Sequence, residues 1–264
     1  MHNSPQHLQM ADPSMLRTLA YQVEAIWPLE APRLRAIPVA PRRVLDLGCG
    51  PGVFLAKLHE LWPSAYLVGV DLDADHLARI DVPCEARLGD AMAPVADPGT
   101  FDLAVCRHVL QAVPDPQRVI VNLAQAVRPG GLVHVVAEDY GLIAFSDPAV
   151  DDFWERTAIA FGKRTGTDMR GGRRAAVWMC EAGLTQVRTH WLTLDTQTVD
   201  REVFARIWEA WRDGYSDAVS DTLGLPRDET RNEWDRMIRV LRDGPGYAVW
   251  HLPVVEGVRA EEGA

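Results

Sequence analysis

The 264-residue chain is short of lysine: only Lys57 and Lys163 occur, and arginine supplies the rest of the 27 Lys and Arg residues. The formal net charge is −10, so the chain lacks the basic excess that grips a phosphate backbone, and this argues against a nucleic-acid partner. Cysteine is also scarce. Cys49, Cys84, Cys106 and Cys180 are widely spaced and form no CxxC pair, so reduced structural thiols in a cytoplasm are expected rather than a disulfide framework. The sequence contains no clustered metal-ligand motif, so no metal ligand is assigned, and metal dependence stays open because carboxylates at strand ends could assemble a site. No apolar run approaches the ~18 to 20 residues of a membrane helix. Met1 to Ser14 lacks a basic segment followed by an apolar one, which excludes a secretion signal. Internal repeats and low-complexity tracts are absent as well.

What is present is an alternation. Residues 1–13, polar and with two prolines, are expected to form a loose end. Met15, Leu16, Leu19, Ala20, Val23, Ile26 and Trp27 then follow helical spacing, which predicts a helix that stops at Pro28. Residues 28–42 carry four prolines and read as a linker. From Arg43 to Tyr140, short β-branched runs at residues 44–45, 67–70, 103–105 and 132–136 are separated by helical stretches at 54–61, 75–80 and 117–127. Continuous apolar strands parted by helices predict a parallel sheet covered on both faces. Beyond Tyr140, helices are expected over 150–163, 172–182, 200–223 and 228–242, and strands over 185–194 and 247–255.

The chemistry-bearing stretch is Val44-Leu45-Asp46-Leu47-Gly48-Cys49-Gly50-Pro51-Gly52, a strand running into a G-x-G-x-G turn. Glycines allow positive φ and let a ligand touch backbone, and the following helix start offers unpaired N–H groups. A dinucleotide loop spaces its glycines G-x-G-x-x-G. Here the third glycine comes one position early and Val53 takes its place. Acidic residues recur at strand ends: Asp71 after the second and Asp90 after the third.

With these motifs in register, the run from Val44 to Tyr140 resembles the core of class I S-adenosylmethionine-dependent methyltransferases. The resemblance implies an α/β fold: a doubly wound, mostly parallel sheet of seven strands, the last antiparallel, with helical caps. The division is then residues 1–42 as N-terminal cap and linker, 43–195 and 244–258 as core, and 196–243 as a helical insertion serving as a lid or a dimer contact. It further implies S-adenosylmethionine as methyl donor, leaving as S-adenosylhomocysteine. Asp46 and the backbone of Gly48, Cys49, Gly50 and Gly52 would hold the methionine part, Asp71 the ribose, and Leu72 the adenine face. Asp90 and Ala91 would meet the adenine edge, while Arg107 and His108 would lie near the sulfonium.

The residues after the fourth strand, Cys106-Arg107-His108-Val109, are not the Asn/Asp-Pro-Pro-Tyr/Phe of enzymes that methylate nucleic-acid amino groups. With the acidic charge, this favours a small-molecule acceptor. An aromatic or heteroaromatic one is expected from the bulky helix face of Trp208, Trp211 and Tyr215, and a role in secondary metabolism is what the resemblance and the arginine-rich composition imply. Candidate bases or orienting groups are Glu138, Asp139 and Tyr140 at the end of the fifth strand, and His190 in the sixth. Trp208, Trp211 and Tyr215 share a helix face; they read either as core or, with Trp154 and with Tyr21 of the first helix, as a wall for a flat acceptor. Two alternatives stay open: a nicotinamide-dependent oxidoreductase on the same architecture, and a catalytically silent cofactor-binding subunit.

Overall fold

In the computed structural model, residues 12–261 are described. The first half of the chain contributes α1 (Pro13–Arg35), β1 (Arg43–Leu47), α2 (Val53–Leu61), β2 (Tyr66–Asp71), α3 (Ala74–Leu77), β3 (Glu85–Leu88), β4 (Phe101–Arg107), α4 (Pro116–Ala126) and β5 (Val127–Val136). The second half contributes β6 (Ile143–Phe145), α5 (Pro148–Thr165), α6 (Ala175–Glu181), β7 (Leu184–Asp195), α7 (Arg201–Leu223), α8 (Arg227–Arg242) and β8 (Ala248–Arg259). The polar end expected over residues 1–13 lies, through residue 11, outside the described residues.

The strand order is β3-β2-β1-β4-β5-β8-β6, with β7 pairing β8. Pairings β1–β2, β1–β4, β2–β3 and β4–β5 are parallel, and β8 runs antiparallel to β5 with His134 opposite Glu256. The doubly wound, mostly parallel sheet is therefore as expected. An eighth strand was not anticipated: β6 is three residues long, too short to show a period, and pairs with residues 248–250 of β8.

The central strands carry unbroken apolar runs at their middles because both faces are covered there. Leu45, Leu47, Val68, Ala104, Cys106, Val133 and Val135 lie in one core cluster with Val119, Ile120 and Leu123 of α4. Edge strand β3 instead alternates, and its Leu88 is exposed. Helix starts are chemically specified. Asp115 accepts the Arg118 N–H with Pro116 in the first turn, and Asp200 accepts from Glu202 and Val203.

The first helix departs from expectation, running through Pro28 and Pro32 to Arg35. Each proline removes one intrahelical hydrogen bond, at roughly 3 kcal/mol. Continuing the helix keeps Ile26, Ala31 and Leu34 on its buried side. Only Ala31 and Leu34 of these lie beyond Pro28, and burying a side chain the size of Leu returns about 1.5–3 kcal/mol, which offsets part of the loss.

The chain divides into two compact units. A core unit takes in Pro32–Glu138, Gly171–Trp191 and Pro253–Ala264, and holds the parallel strands. A helical unit takes in Met1–Ala31, Asp139–Arg170 and Leu192–Leu252. The stretch expected as an insertion, 196–243, forms α7 and α8, and it falls in the helical unit with α5 and most of α1. Among the described residues, no helix is long and apolar enough to cross a membrane.

Candidate functional site

In the core unit the glycine loop leaves β1 through three left-handed residues, Gly48 (φ 84°), Gly50 (φ 54°) and Gly52 (φ 80°). A side chain at Gly48 would collide with Val109, so this position needs glycine for space as well as for torsion. The N–H groups of Gly48 and Cys49 donate to the Val70 carbonyl at 2.8 and 3.0 Å, tying the loop to the end of β2. Helix α2 then starts at Val53 with no side-chain cap, leaving its first-turn N–H groups to a ligand or to water. Asp46 is buried beneath the loop. Burial, followed by the nearby Asp46 and Asp71 charges, pushes the Cys49 thiol far up, so it stays neutral.

Asp71 joins the loop to the next turn. Its Oδ2 accepts the Gly50 N–H at 2.7 Å, and its Oδ1 accepts the Asp73 N–H at 2.9 Å. A carboxylate has about four acceptor sites, so two remain for a diol. The neighbouring Leu72 is 53% exposed, an apolar surface beside that carboxylate. Buried His76 places Nδ1 3.8 Å from Asp71 Oδ1. Asp90 accepts the Met92 N–H, and the Asn122 side chain donates to the carbonyls of Ala91 and Ala93, which fixes the turn after β3. His76 and Asn122 were not anticipated from the sequence; an Asp followed five residues later by His is too common a signal to single out.

At the end of β4, the Arg107 guanidinium lies 4.1 Å from the ring centroid of Phe54, in the first turn of α2. His108 follows in a left-handed conformation (φ 57°). Its N–H donates to the Val136 carbonyl at 3.2 Å, and its own carbonyl accepts from Gln111 Nε2 at 2.8 Å. His108 Nδ1 sits 2.7 Å from Oε1 of fully buried Glu138. The Glu138 carbonyl accepts the Gly172 N–H at 3.0 Å.

The remaining candidates have other surroundings. Asp139 is buried and caps a 3₁₀ turn by accepting the Gly141 N–H at 3.1 Å. His190 Nε2 lies 3.4 Å from Glu256, which also takes Arg33 at 2.6 Å and His134 at 3.0 Å. Burial first, and Arg33 second, push the His190 imidazole down.

In the helical unit, Tyr140 meets Trp154 and Trp211 edge-on at 5.5 and 5.6 Å, while Trp154 and Trp211 stack at 5.7 Å with their planes 14° apart. Trp208 is wholly buried among Phe204, Trp154, Trp211 and Trp250. Tyr215 packs on Phe161, and Tyr21 lies under Arg206. The structure thus brings His108 and Glu138 together, joins Asp71 to Gly50, and gathers Tyr140, Trp154, Trp208 and Trp211 into one cluster. It puts His190 with Glu256, a partnership the sequence did not signal. Among the described residues, no group of three His, Cys, Asp or Glu is arranged to hold a metal ion.

Comparison with known proteins agrees with this construction. The model of a family described as a methyltransferase domain matches residues 19–184, more than half of the chain. The trans-aconitate 2-methyltransferase of Rhodopseudomonas palustris (strain BisB5) is 36% identical over 133 residues, 49% of this chain and 52% of its own length. The ubiquinone biosynthesis O-methyltransferase of Burkholderia cenocepacia is 35% identical over 104 residues, 36% of this chain and 44% of its own length. The chain spans about half the length of the curated relatives it matches. The structure of Haemonchus contortus phosphoethanolamine N-methyltransferase 2 with phosphomonomethylethanolamine and S-adenosylhomocysteine gives a TM-score of 0.57 at 16% identity, over 92% of this chain and 57% of that one. That likeness shows the fold.

Proposed function

The chain belongs to the methyltransferase-domain family, and on that premise we propose that it transfers a methyl group from S-adenosylmethionine to a small, aromatic or heteroaromatic metabolite. The observation that carries this reading is Asp71, which bridges the glycine loop and the next turn through Gly50 and Asp73 while keeping acceptor sites for a ribose. Family membership also sets aside the nicotinamide-dependent alternative.

The donor, when bound, supplies an electrophilic methyl group on a sulfonium. The chain's own task is alignment and exclusion of water. Asp46 and the backbone from Gly48 to Gly52 would orient the methionine part, with Arg107 and the first turn of α2 offering donors to its carboxylate. Asp71 would accept from the ribose hydroxyls, exposed Leu72 would cover one face of the base, and the turn of Asp90 and Ala91 would meet its edge. Asp46 is held by burial and Asp71 and Asp90 by backbone hydrogen bonds, so little ordering of these carboxylates remains to be done on binding.

For the acceptor, two relatives carry names of small-molecule methylation, on trans-aconitate and in ubiquinone biosynthesis. Support for an aromatic acceptor is the cluster of Tyr140, Trp154, Trp208 and Trp211, with Tyr215 one turn further along α7 from Trp211. The buried indole N–H groups of Trp208 and Trp234 have no partner among the described residues, and they suit an acceptor carrying a hydrogen-bonding oxygen or nitrogen. Within this reading the acceptor is a secondary metabolite met in the cytoplasm, and α7 with α8 serves as lid or dimer contact.

The test is calorimetric. S-adenosylmethionine and S-adenosylhomocysteine are expected to bind the full chain, and Asp71→Asn is expected to weaken both at least about tenfold, roughly 1.4 kcal/mol. Binding of NAD with no binding of either sulfur nucleoside would overturn the proposal.

A further inference from the structure

We propose that His108 is the general base of the reaction and Glu138 its positioning residue, so that the acceptor is one that must lose a proton, an O–H or N–H compound. This inference rests on the methyl-transfer reading above and goes past it to the acceptor's chemistry.

Three independent features converge on His108. The first is backbone conformation. The left-handed region is sparsely populated by residues other than glycine, and such residues persist only where the surroundings hold them. Here the Val136 carbonyl and Gln111 Nε2 fix both sides of the peptide. The second is the partner. Glu138 is fully buried and its Oε1 lies 2.7 Å from His108 Nδ1. With Glu138 as the acceptor in this contact, Nδ1 carries the proton and Nε2 keeps the lone pair, the arrangement a base requires. The third is location. His108 directly follows Arg107 at the carboxyl end of β4, and Glu138 follows β5, the edge where open parallel sheets place ligands.

The other histidines near carboxylates differ in kind. Glu256 is shared among Arg33, His134 and His190. His76 stands 3.8 Å from Asp71, beyond hydrogen-bond reach. His108 with Glu138 is by contrast a short contact, 2.7 Å from one imidazole nitrogen to one carboxylate oxygen. Asp139 and Tyr140, the neighbouring candidates, act as a turn cap and as part of the aromatic cluster.

The step balances as follows. The acceptor's oxygen or nitrogen lone pair forms the bond to the methyl carbon, and the carbon–sulfur bond breaks with its pair remaining on sulfur. The acceptor's proton passes to His108 Nε2, giving an imidazolium held by Glu138, which then releases the proton to solvent. A carboxylate acceptor would need none of this, because it arrives already deprotonated.

The experiment uses the full chain with radiolabelled S-adenosylmethionine and two probe sets: catechol and 5-hydroxyindole, against benzoate and fumarate. Turnover is expected for the first set only. His108→Asn keeps a donor at the Nδ1 position and is expected to lower kcat about 100-fold or more, with KM and S-adenosylhomocysteine affinity nearly unchanged. Glu138→Gln is expected to lower kcat about tenfold and to move the acidic limb of its pH profile. Nitrogen-15 NMR of the S-adenosylhomocysteine complex should show His108 protonated on Nδ1. Turnover of the carboxylates alone, or an His108→Asn enzyme with wild-type kcat and pH profile, overturns the proposal. If no probe is methylated, the NMR decides: a proton on Nε2 overturns it and one on Nδ1 supports it. Failure of wild type to bind S-adenosylhomocysteine would instead sink the methyl-transfer reading itself.

Discussion

Replacing Glu256 by glutamine tests the energetics of the largest ion cluster in the core unit. Glu256 faces Arg33 of α1 at 2.6 Å, His134 of β5 at 3.0 Å and His190 of β7 at 3.4 Å. Burial alone pushes the Glu256 carboxyl up from its usual 4.5, but hydrogen bonds from His134 and Arg33 outweigh it and hold the group at about 2. By linkage, that depression corresponds to roughly 3 kcal/mol of stability at neutral pH. Arg33 keeps 30% of its side-chain surface, so water screens part of the pair and about 2 kcal/mol is the expected cost. Glutamine has nearly the shape and polarity of the protonated acid, so Glu256→Gln isolates the charge. The sign follows from the depressed value. The contribution is complete above pH 4.5 and is lost as pH falls toward 2. Urea unfolding of both proteins at pH 5 and pH 3 is the assay. The variant is expected to be about 2 kcal/mol less stable at pH 5, with the difference less than half as large at pH 3. A difference under about 0.5 kcal/mol at pH 5, or one that does not shrink at pH 3, would refute the reasoning.

Two further outcomes follow from the same kind of argument. A Cβ at Gly172 would lie 2.6 Å from the Ala137 carbonyl oxygen and 2.8 Å from that of Glu138, both backbone atoms that cannot swing aside. Gly172→Ala should therefore cost about 1–3 kcal/mol in urea unfolding through the lost N–H bond to Glu138, and a variant as stable as wild type would contradict it. For His76, the nearby Asp71 carboxylate, opposed by burial, raises the imidazole above 6.5, so its stabilisation is present below pH 6.5 and fades as pH rises through the raised value. The stability gap between wild type and His76→Gln should accordingly be larger at pH 6 than at pH 9; a gap that is flat or inverted across that range would rule the pair out.

Much of the fold was legible in the residues because parallel strands leave a strong local mark. Val44-Leu45, Leu67-Val68 and Leu103-Ala104-Val105 are apolar without alternation, as strands covered on both faces must be. The helices after Asp115 and Asp200 announced themselves through their caps. The course of α1 was not legible. Two prolines predict a stop, and the helix instead runs on through them to bury Ala31 and Leu34, a gain set by neighbours distant in sequence. Strand β6 is too short for any period to show.

The glycine spacing and the acidic residues at strand ends determined, from sequence alone, the architecture and the kind of ligand its loop is shaped for, because each is a short-range pattern in which the backbone itself carries the requirement. Which side chains act together is a different matter. His108 and Glu138 are 30 positions apart, and Glu256 lies 122 positions from His134. Their proximity comes from the register of β4 on β5 and of β5 on β8, so the sequence offered Glu138 first and His190 after it as base candidates without assigning a partner to either. Tertiary structure set the His108 imidazole 2.7 Å from Glu138 and left His190 sharing Glu256 with an arginine and a second histidine. Hydrogen-bond geometry over 2.7 Å depends on that assembled register, and no one-dimensional spacing encodes it.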